Sequence, residues 1–420
     1  MSATLKEIHN NNTKIPVIFE KNNNLPIFNL QLIFQNSGYI NDKKIAGITN
    51  LTAKILNEGT KKDGAIAYAR KLENNAIFIE ASTHFETFSI EISCLKSEYK
   101  LALKYLNSLL KDPNLSEETI NKIKLLEISK LQQKENDFDY IASKNLKKLQ
   151  YKGTALEYTS KGEIEHIEKI TLKDIKKRLS SLLNLDNLII VVGGDLDFKN
   201  FRTDIQDTLG LIQPQGKTFL KKIAISKKVT KKIVQKDTEQ SYIYFSSPFN
   251  INYDSKDNYK AKVASFILGG SGFGSRLMEE IRVKNGLAYS AYGHITNEKS
   301  HSHFTGYLQT KLANTNKAKA MVNKIVEEFV KNGVTQKELQ SAKNFLLGSE
   351  PLHTETFSQR LHRAFRLYYK GLTFDYPKQE LDMINKLQLK DLNDFISQHK
   401  EIVNLTFSIV TNERINSDTK

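Results

Sequence analysis

The chain of 420 residues has one cysteine, Cys94, seven prolines and no run approaching 18 consecutive apolar residues. A single cysteine closes no internal disulfide and builds no cysteine-based metal site. Cys94 lies in the alternation Phe88-Ser89-Ile90-Glu91-Ile92-Ser93-Cys94, where a small buried hydrophobe is expected. Without a long apolar run there is no transmembrane helix. The first 15 residues carry no apolar core of a signal peptide, so the sequence as written reads as cytoplasmic; a periplasmic location stays open if such a segment was removed. With seven prolines, 20 glycines and 39% hydrophobic residues, collagen-like, proline-rich and wholly disordered readings are excluded.

The length predicts at least two domains with real cores. The net charge of +15 fits either an anionic partner or a lysine-rich surface. More informative is an internal repeat. Ile170-Thr171-Leu172-Lys173-Asp174-Ile175 leads through a helical stretch to Asn187-Leu188-Ile189-Ile190-Val191-Val192. Leu387-Gln388-Leu389-Lys390-Asp391-Leu392 leads through another to Asn404-Leu405-Thr406-Phe407-Ser408-Ile409-Val410, at an offset of 217. Ser116 and Thr335, as candidate caps, open two further matching helical segments.

Alternation predicts strands over 26–34, 76–83, 85–94, 241–246, 288–296 and 303–311, and helical periodicity covers 45–57, 97–110, 117–134 and 172–183. Hairpin-delivered strands followed by runs of helices predict an α+β fold of two homologous halves, each a mixed, largely antiparallel sheet covered by helices. The expected domains are 1–212 and 233–420. Between them, 213–232 holds Pro214, Gly216 and seven lysines, which suits a solvated linker better than a nucleic-acid patch.

Two segments resemble one family. Ala46-Gly47-Ile48-Thr49-Asn50-Leu51-Thr52-Ala53-Lys54-Ile55-Leu56-Asn57-Glu58-Gly59-Thr60 is similar to the zinc-site helix of the insulinase/pitrilysin metallopeptidases, including the mitochondrial processing peptidase branch. Leu268-Gly269-Gly270-Ser271-Gly272-Phe273-Gly274-Ser275-Arg276-Leu277, continuing to Leu287-Ala288-Tyr289-Ser290, is similar to the signature of that family's second half. The resemblance spans nearly the whole chain and implies a half of a clam-like peptidase chamber.

Active members carry an inverted zinc motif, H-x-x-E-H, with two histidine ligands and a glutamate base. The matching positions here are Asn50, Ala53 and Lys54. An amide is a poor zinc ligand, alanine accepts no proton, and lysine puts a cation where the ion's charge would be. The family's remaining glutamate ligand aligns with Ser129 and Lys130. Glu127 is two residues away, about 200° of helix rotation, and is expected to point elsewhere. No metal is therefore expected on this chain. The close pair His301 and His303, like His353 and His362, reads as structural or surface.

In this family an arginine and a tyrosine seven residues apart help hold the substrate's scissile region, which implies that role for Arg282 and Tyr289. A phenol can hydrogen-bond a carbonyl oxygen that gains charge, and a guanidinium adds a fixed cation. Taken without the resemblance, Arg282 pairs with Glu279 or Glu280 and Tyr289 packs in the sheet. The glycine run lacks the Gly-Lys-Ser/Thr of a phosphate loop. By resemblance it is a substrate-approaching loop formed by Gly269, Gly270, Gly272 and Phe273.

Some bacterial members divide the zinc motif and the Arg/Tyr pair between two proteins, and this chain has only the second. The resemblance thus implies the non-catalytic subunit of a heterodimeric zinc peptidase. Its partner would be a homologous subunit that carries the zinc, and its substrates peptides. The alternative is a non-enzymatic peptide-binding or scaffold protein of the same fold, homodimeric in one form. Neither a nucleic acid nor a membrane span enters either reading.

Overall fold

The structure is a computed structural model, described here for residues 3–10, 12–42, 45–272 and 274–412. Its eleven described strands are β1 (Thr4–Asn10), β2 (Thr13–Lys21), β3 (Ile27–Gln35), β4 (Phe78–Thr83), β5 (Thr87–Leu95), β6 (Leu188–Gly194), β7 (Lys231–Gln235), β8 (Gln240–Pro248), β9 (Ala288–Asn297), β10 (Ser302–Lys311) and β11 (Thr406–Thr411). They form two sheets, ordered β1-β2-β6-β3-β5-β4 and β7-β11-β8-β10-β9. The inferred repeat is visible in this order. The strands that end the repeated segments, β6 and β11, are both interior; each pairs in parallel with one neighbour, β2 or β7, and antiparallel with the other, β3 or β8. All remaining pairings are antiparallel. The α+β arrangement of two repeated halves is thus the fold of the chain.

One face of each sheet carries its main core. In the first, Leu30, Leu32, Phe34, Phe88, Ile90 and Ile190 pack against Ala102, Leu103 and Leu106 of the helix Tyr99–Lys111. In the second, Phe245, Phe304, Leu308 and Phe407 pack against Val322, Ile325 and Phe329 of the helix Thr315–Asn332. Burying such aromatic and aliphatic side chains stabilises each sheet by roughly 1.5–3 kcal/mol per residue. Cys94 is buried as a small hydrophobe, and burial pushes its thiol up to about 12. Both candidate caps act as caps: Ser116 Oγ accepts from the Thr119 N–H at 3.1 Å, and Thr335 forms a reciprocal capping box with Glu338.

The chain forms two compact units that are interleaved in sequence. The first takes residues through Gln132, Tyr158–Leu220 and Thr354–Phe374; the second takes Gln133–Glu157, Lys221–His353 and residues from Asp375 onward. The helix Phe357–Tyr369, from the second sequence half, therefore lies on the first sheet, with Phe357, Leu361 and Phe365 against Ile18, Ile33, Ile189 and Val191. The helix Phe138–Gln150, from the first half, belongs with the second sheet, where Phe138 meets Tyr242 and the Tyr244 hydroxyl donates to Asp139. The compact units thus exchange one helix each between the two halves of the sequence.

The segment 213–232 is pinned along its length. Asn184 and Asn187 hydrogen-bond Gln215, Gly216 and Thr218, Leu220 packs beside the helix Phe357–Tyr369, and the Ile223 and Ser226 N–H groups bond Ser300 and Gln150. Its last two residues, Lys231 and Lys232, open β7. Among the described residues no helix is long and apolar enough to cross a membrane.

Candidate functional site

The helix Ile48–Leu56 carries the positions of the degenerate zinc motif. Its apolar face, Ile48, Leu51 and Ile55, packs on Ile120 and Ile123 of the helix Glu117–Gln133 and on Ile170 and Ile175. Its start is held by a buried polar network. The Thr49 N–H and hydroxyl both donate to the Asp42 carboxylate, and Arg178 donates to Thr49 Oγ1 at 2.8 Å, to Gly38 O at 3.1 Å and to Asp42 Oδ1 at 3.3 Å. Burial pushes the Asp42 carboxyl up to about 6, against the opposing pull of Arg178 and Thr49.

Asn50 and Lys54, four residues apart, share one side of this helix, and Ala53 is buried. The Lys54 Nζ lies 3.3 Å from Glu127 Oε1, and Lys130 Nζ donates to the same oxygen at 3.0 Å. The position of Glu127 corrects the sequence expectation. Its carboxylate points inward, only 3% exposed, while Lys130 is the exposed neighbour. A signal for this lay in the sequence: Ile120, Ile123, Glu127 and Leu131 form one stripe at helical spacing, and a carboxylate on an apolar stripe needs a partner. The residues present do not fit a zinc ion. One carboxylate remains, neutralised by an ammonium group from the helix that would supply the other ligands. Among the described residues no group of three or more His, Cys, Asp or Glu is placed to hold a metal.

The second corner is built from two backbone irregularities. Glu279–Lys284 is π-helical, and Gly286, at φ 59°, turns the chain into β9. At the start of β9 the register slips: Ser290 faces Gln309 and Ala288 faces Thr310, leaving Tyr289 as a bulged residue outside the ladder. The bulge aims the ring away from the sheet, so Tyr289 is 81% exposed and does not pack as a sheet residue. The Arg282 guanidinium carbon stands 4.8 Å from its ring centroid, within cation–π range. Glu280 is engaged by Lys284 at 2.7 Å. The Tyr289 hydroxyl makes no hydrogen bond among the described residues.

The glycine run divides by environment. Gly269 is buried, and a Cβ there would meet Gly293 N at 2.5 Å and Leu277 at 2.7 Å; it is a packing glycine, closed to a ligand. Gly270 is exposed, and Gly272, at φ +63°, faces open space. Phe273 lies outside the described residues. His301 and His303 stack at 5.4 Å, and His303 also meets the Tyr151 ring edge-on. Burial holds the His303 imidazole well below its ordinary pKa, so it is a neutral packed residue.

Comparison with known proteins places this geometry. Residues 17–162 match the model of the insulinase family, peptidase family M16, and residues 169–346 match that of the peptidase M16 inactive domain. The chain belongs to the insulinase family, M16. Among curated proteins it is 43% identical to the "Non-peptidase homolog YmxG" of Helicobacter pylori over 96% of this chain and 93% of that one. It is 24% identical to the "Uncharacterized zinc protease YmxG" of Bacillus subtilis, covering 81% and 83%. Among solved structures, a peptidase M16 inactive domain from Pseudomonas fluorescens has a TM-score of 0.89 at 22% identity, covering 98% of both chains. A protease from Helicobacter pylori has a TM-score of 0.81 at 17% identity, covering 98% of this chain and 100% of that one. Within M16 this chain is a non-catalytic member, and the Lys54–Glu127 pair gives the physical reason.

Proposed function

We propose that this M16 chain is the non-catalytic subunit of a heterodimeric peptidase. It supplies Arg282 and Tyr289 to a peptide held at the zinc site of a homologous partner. The observation that carries this reading is the exposed Tyr289, lifted from its ladder by a bulge and backed by Arg282. An exposed tyrosine with a free hydroxyl and a cation at its ring suits the carbonyl oxygen of an extended peptide. The phenol donates to that oxygen as negative charge develops, and the guanidinium charge favours the same change. Gly270 and Gly272 supply backbone that an approaching peptide can touch. The net charge of +15 favours acidic peptides by long-range steering.

The test is reconstitution with an M16 protein of the same organism that carries an intact H-x-x-E-H. Arg282→Ala and Tyr289→Phe are each expected to cut peptide turnover by more than tenfold, about 1.4 kcal/mol of transition-state stabilisation, with the complex still assembled on a sizing column. Unchanged turnover would remove the site assignment. Failure to form any complex, with a homodimer instead, would favour the non-enzymatic peptide-binding or scaffold reading.

A further inference from the structure

The end of β2 and the helix Phe357–Tyr369 meet at a glycine. Gly193 of β6 lies opposite Glu20 in the parallel ladder, and a Cβ there would stand 2.6 Å from both the Glu20 carbonyl oxygen and the Phe357 ring, so only glycine lets the helix come this close. That approach brings Arg360, three residues after Phe357, to the Glu20 carboxylate, which is only 4% exposed. The guanidinium is held on three sides. Its Nε donates to Glu20 Oε1 at 2.7 Å, its Nη1 donates to the Thr354 and Glu355 carbonyls at 3.4 Å, and its carbon stands 5.3 Å from the Phe357 ring centroid. Nη2 makes no hydrogen bond among the described residues.

Beside this arginine lies a cavity of about 460 Å³, lined by Glu20, Lys21, Asn22, Asn23, Asn24 and Arg360. Its size suits a small molecule, and its lining is rich in unengaged donors. The loop is fixed by its own backbone: the Asn22 N–H donates to Gly194 O at 2.9 Å and the Asn24 N–H to Asn22 Oδ1 at 3.0 Å, which leaves the Asn22 amide NH₂ without a partner. The Lys21 ammonium and the Asn23 and Asn24 side chains likewise make no hydrogen bond or ion pair among the described residues. The carboxylate of the lining, Glu20, is already matched by Arg360, so the Lys21 charge is left over. A surplus of N–H donors and of positive charge suits an oxyanion, and a cation would find no free carboxylate here. We propose that this cavity binds a small molecule through its phosphate or carboxylate group, with Arg360 Nη2, Lys21 Nζ and the Asn22 amide as donors and Glu20 holding the arginine in place. All of these residues lie in the first unit, so the inference stands apart from the role given to Arg282 and Tyr289.

The experiment titrates the purified chain with inorganic phosphate and, separately, with acetate, by calorimetry at constant ionic strength. Saturable binding of one equivalent is expected; preference for phosphate identifies a phosphate ligand, and preference for acetate a carboxylate one. Lys21→Gln should weaken that binding about tenfold or more. Lys227→Gln, which removes the same charge from an exposed lysine outside the cavity, should leave it unchanged. Glu20→Gln combined with Arg360→Gln keeps the net charge of the chain, strands no buried ion, and should abolish binding. The lysine pair decides the question even where the double variant does not fold. No saturable binding of either anion, an equal loss in the two lysine variants, or full binding by a folded double variant would overturn the proposal.

Discussion

In the first unit the outer strand β4 meets the end of the helix Ile48–Leu56; in the second, the equivalent outer strand β9 meets the end of the helix Asn258–Ser265. Both edges receive a polar side chain from the helix. Asn57 engages the donor and the acceptor of Ala81, whereas Ser265 Oγ accepts from the Ile295 N–H at 2.9 Å and leaves the rest of the cover to the close approach of Gly269 to Gly293. The helices differ more. The first is tied to the helix Glu117–Gln133 through Lys54 and Glu127, while in the second unit the π-helical Glu279–Lys284 and a bulge place Arg282 beside an exposed Tyr289. One repeated scaffold thus has a corner closed by an ion pair to a buried carboxylate and another that presents an exposed tyrosine.

The comparison can be broken most severely by rebuilding the first corner. In an Asn50→His, Ala53→Glu, Lys54→His variant, Glu127 is already buried against the helix, and one equivalent of zinc per chain is expected by elemental analysis, against none for the wild type. Adding Glu127→Gln should abolish that binding. Retained zinc would show that Glu127 is not positioned as argued. Next in size is Gly269→Ala, whose Cβ would collide with backbone; a loss of about 2–3 kcal/mol in chemical denaturation is expected. Gly272→Ala meets open space and costs only about 1 kcal/mol, from its positive φ. Equal losses would undo the distinction between packing and exposed glycines.

A smaller effect is expected of Lys54→Met, which leaves Glu127 with the half-exposed Lys130 alone: about 1 kcal/mol, discounted because Lys54 is itself 35% exposed. The smallest is a pH effect of opposite sign in the two units. The folded-state pKa of Asp42 is raised to about 6, so its contribution is present below about pH 4 and is lost as pH rises through 6. That of His303 is lowered, so its contribution is present above the ordinary histidine value and is lost as pH falls below it. Between pH 7 and 5.5 the Asp42 change amounts to under about 1 kcal/mol. Asp42→Asn should steepen the acid loss of stability and His303→Gln should flatten it, as read from denaturation midpoints across that range.

Several of these residues were within reach of sequence reasoning and others were not. The helix and strand over 48–56 and 288–297 follow from local periodicity, and the glycine stop at Gly286 from backbone sterics. The family resemblance, not local pattern, paired Arg282 and Tyr289 before their distance was known. Glu127 was misplaced because spacing along the chain was used where the buried stripe of its helix was the better guide. The bulge at Tyr289 depends on the partner strand β10, and the bonds from Asn57 to Ala81 join residues 24 apart whose meeting depends on β4 being outermost.

Local pattern and repetition determined from sequence that the chain has two α+β halves, and at the positions picked out by the family resemblance the side-chain chemistry of Asn50, Ala53 and Lys54 gave a helix without metal ligands. Both are properties of residue type at short spacing, where helix and strand geometry leaves few choices. Only tertiary structure decided which helix covers which sheet, which strand is outermost, and that Lys54 finds a buried carboxylate while Tyr289 stays in solvent. Those outcomes depend on contacts between residues tens to hundreds of positions apart, and burial, which sets their energy, is a property of the packed whole.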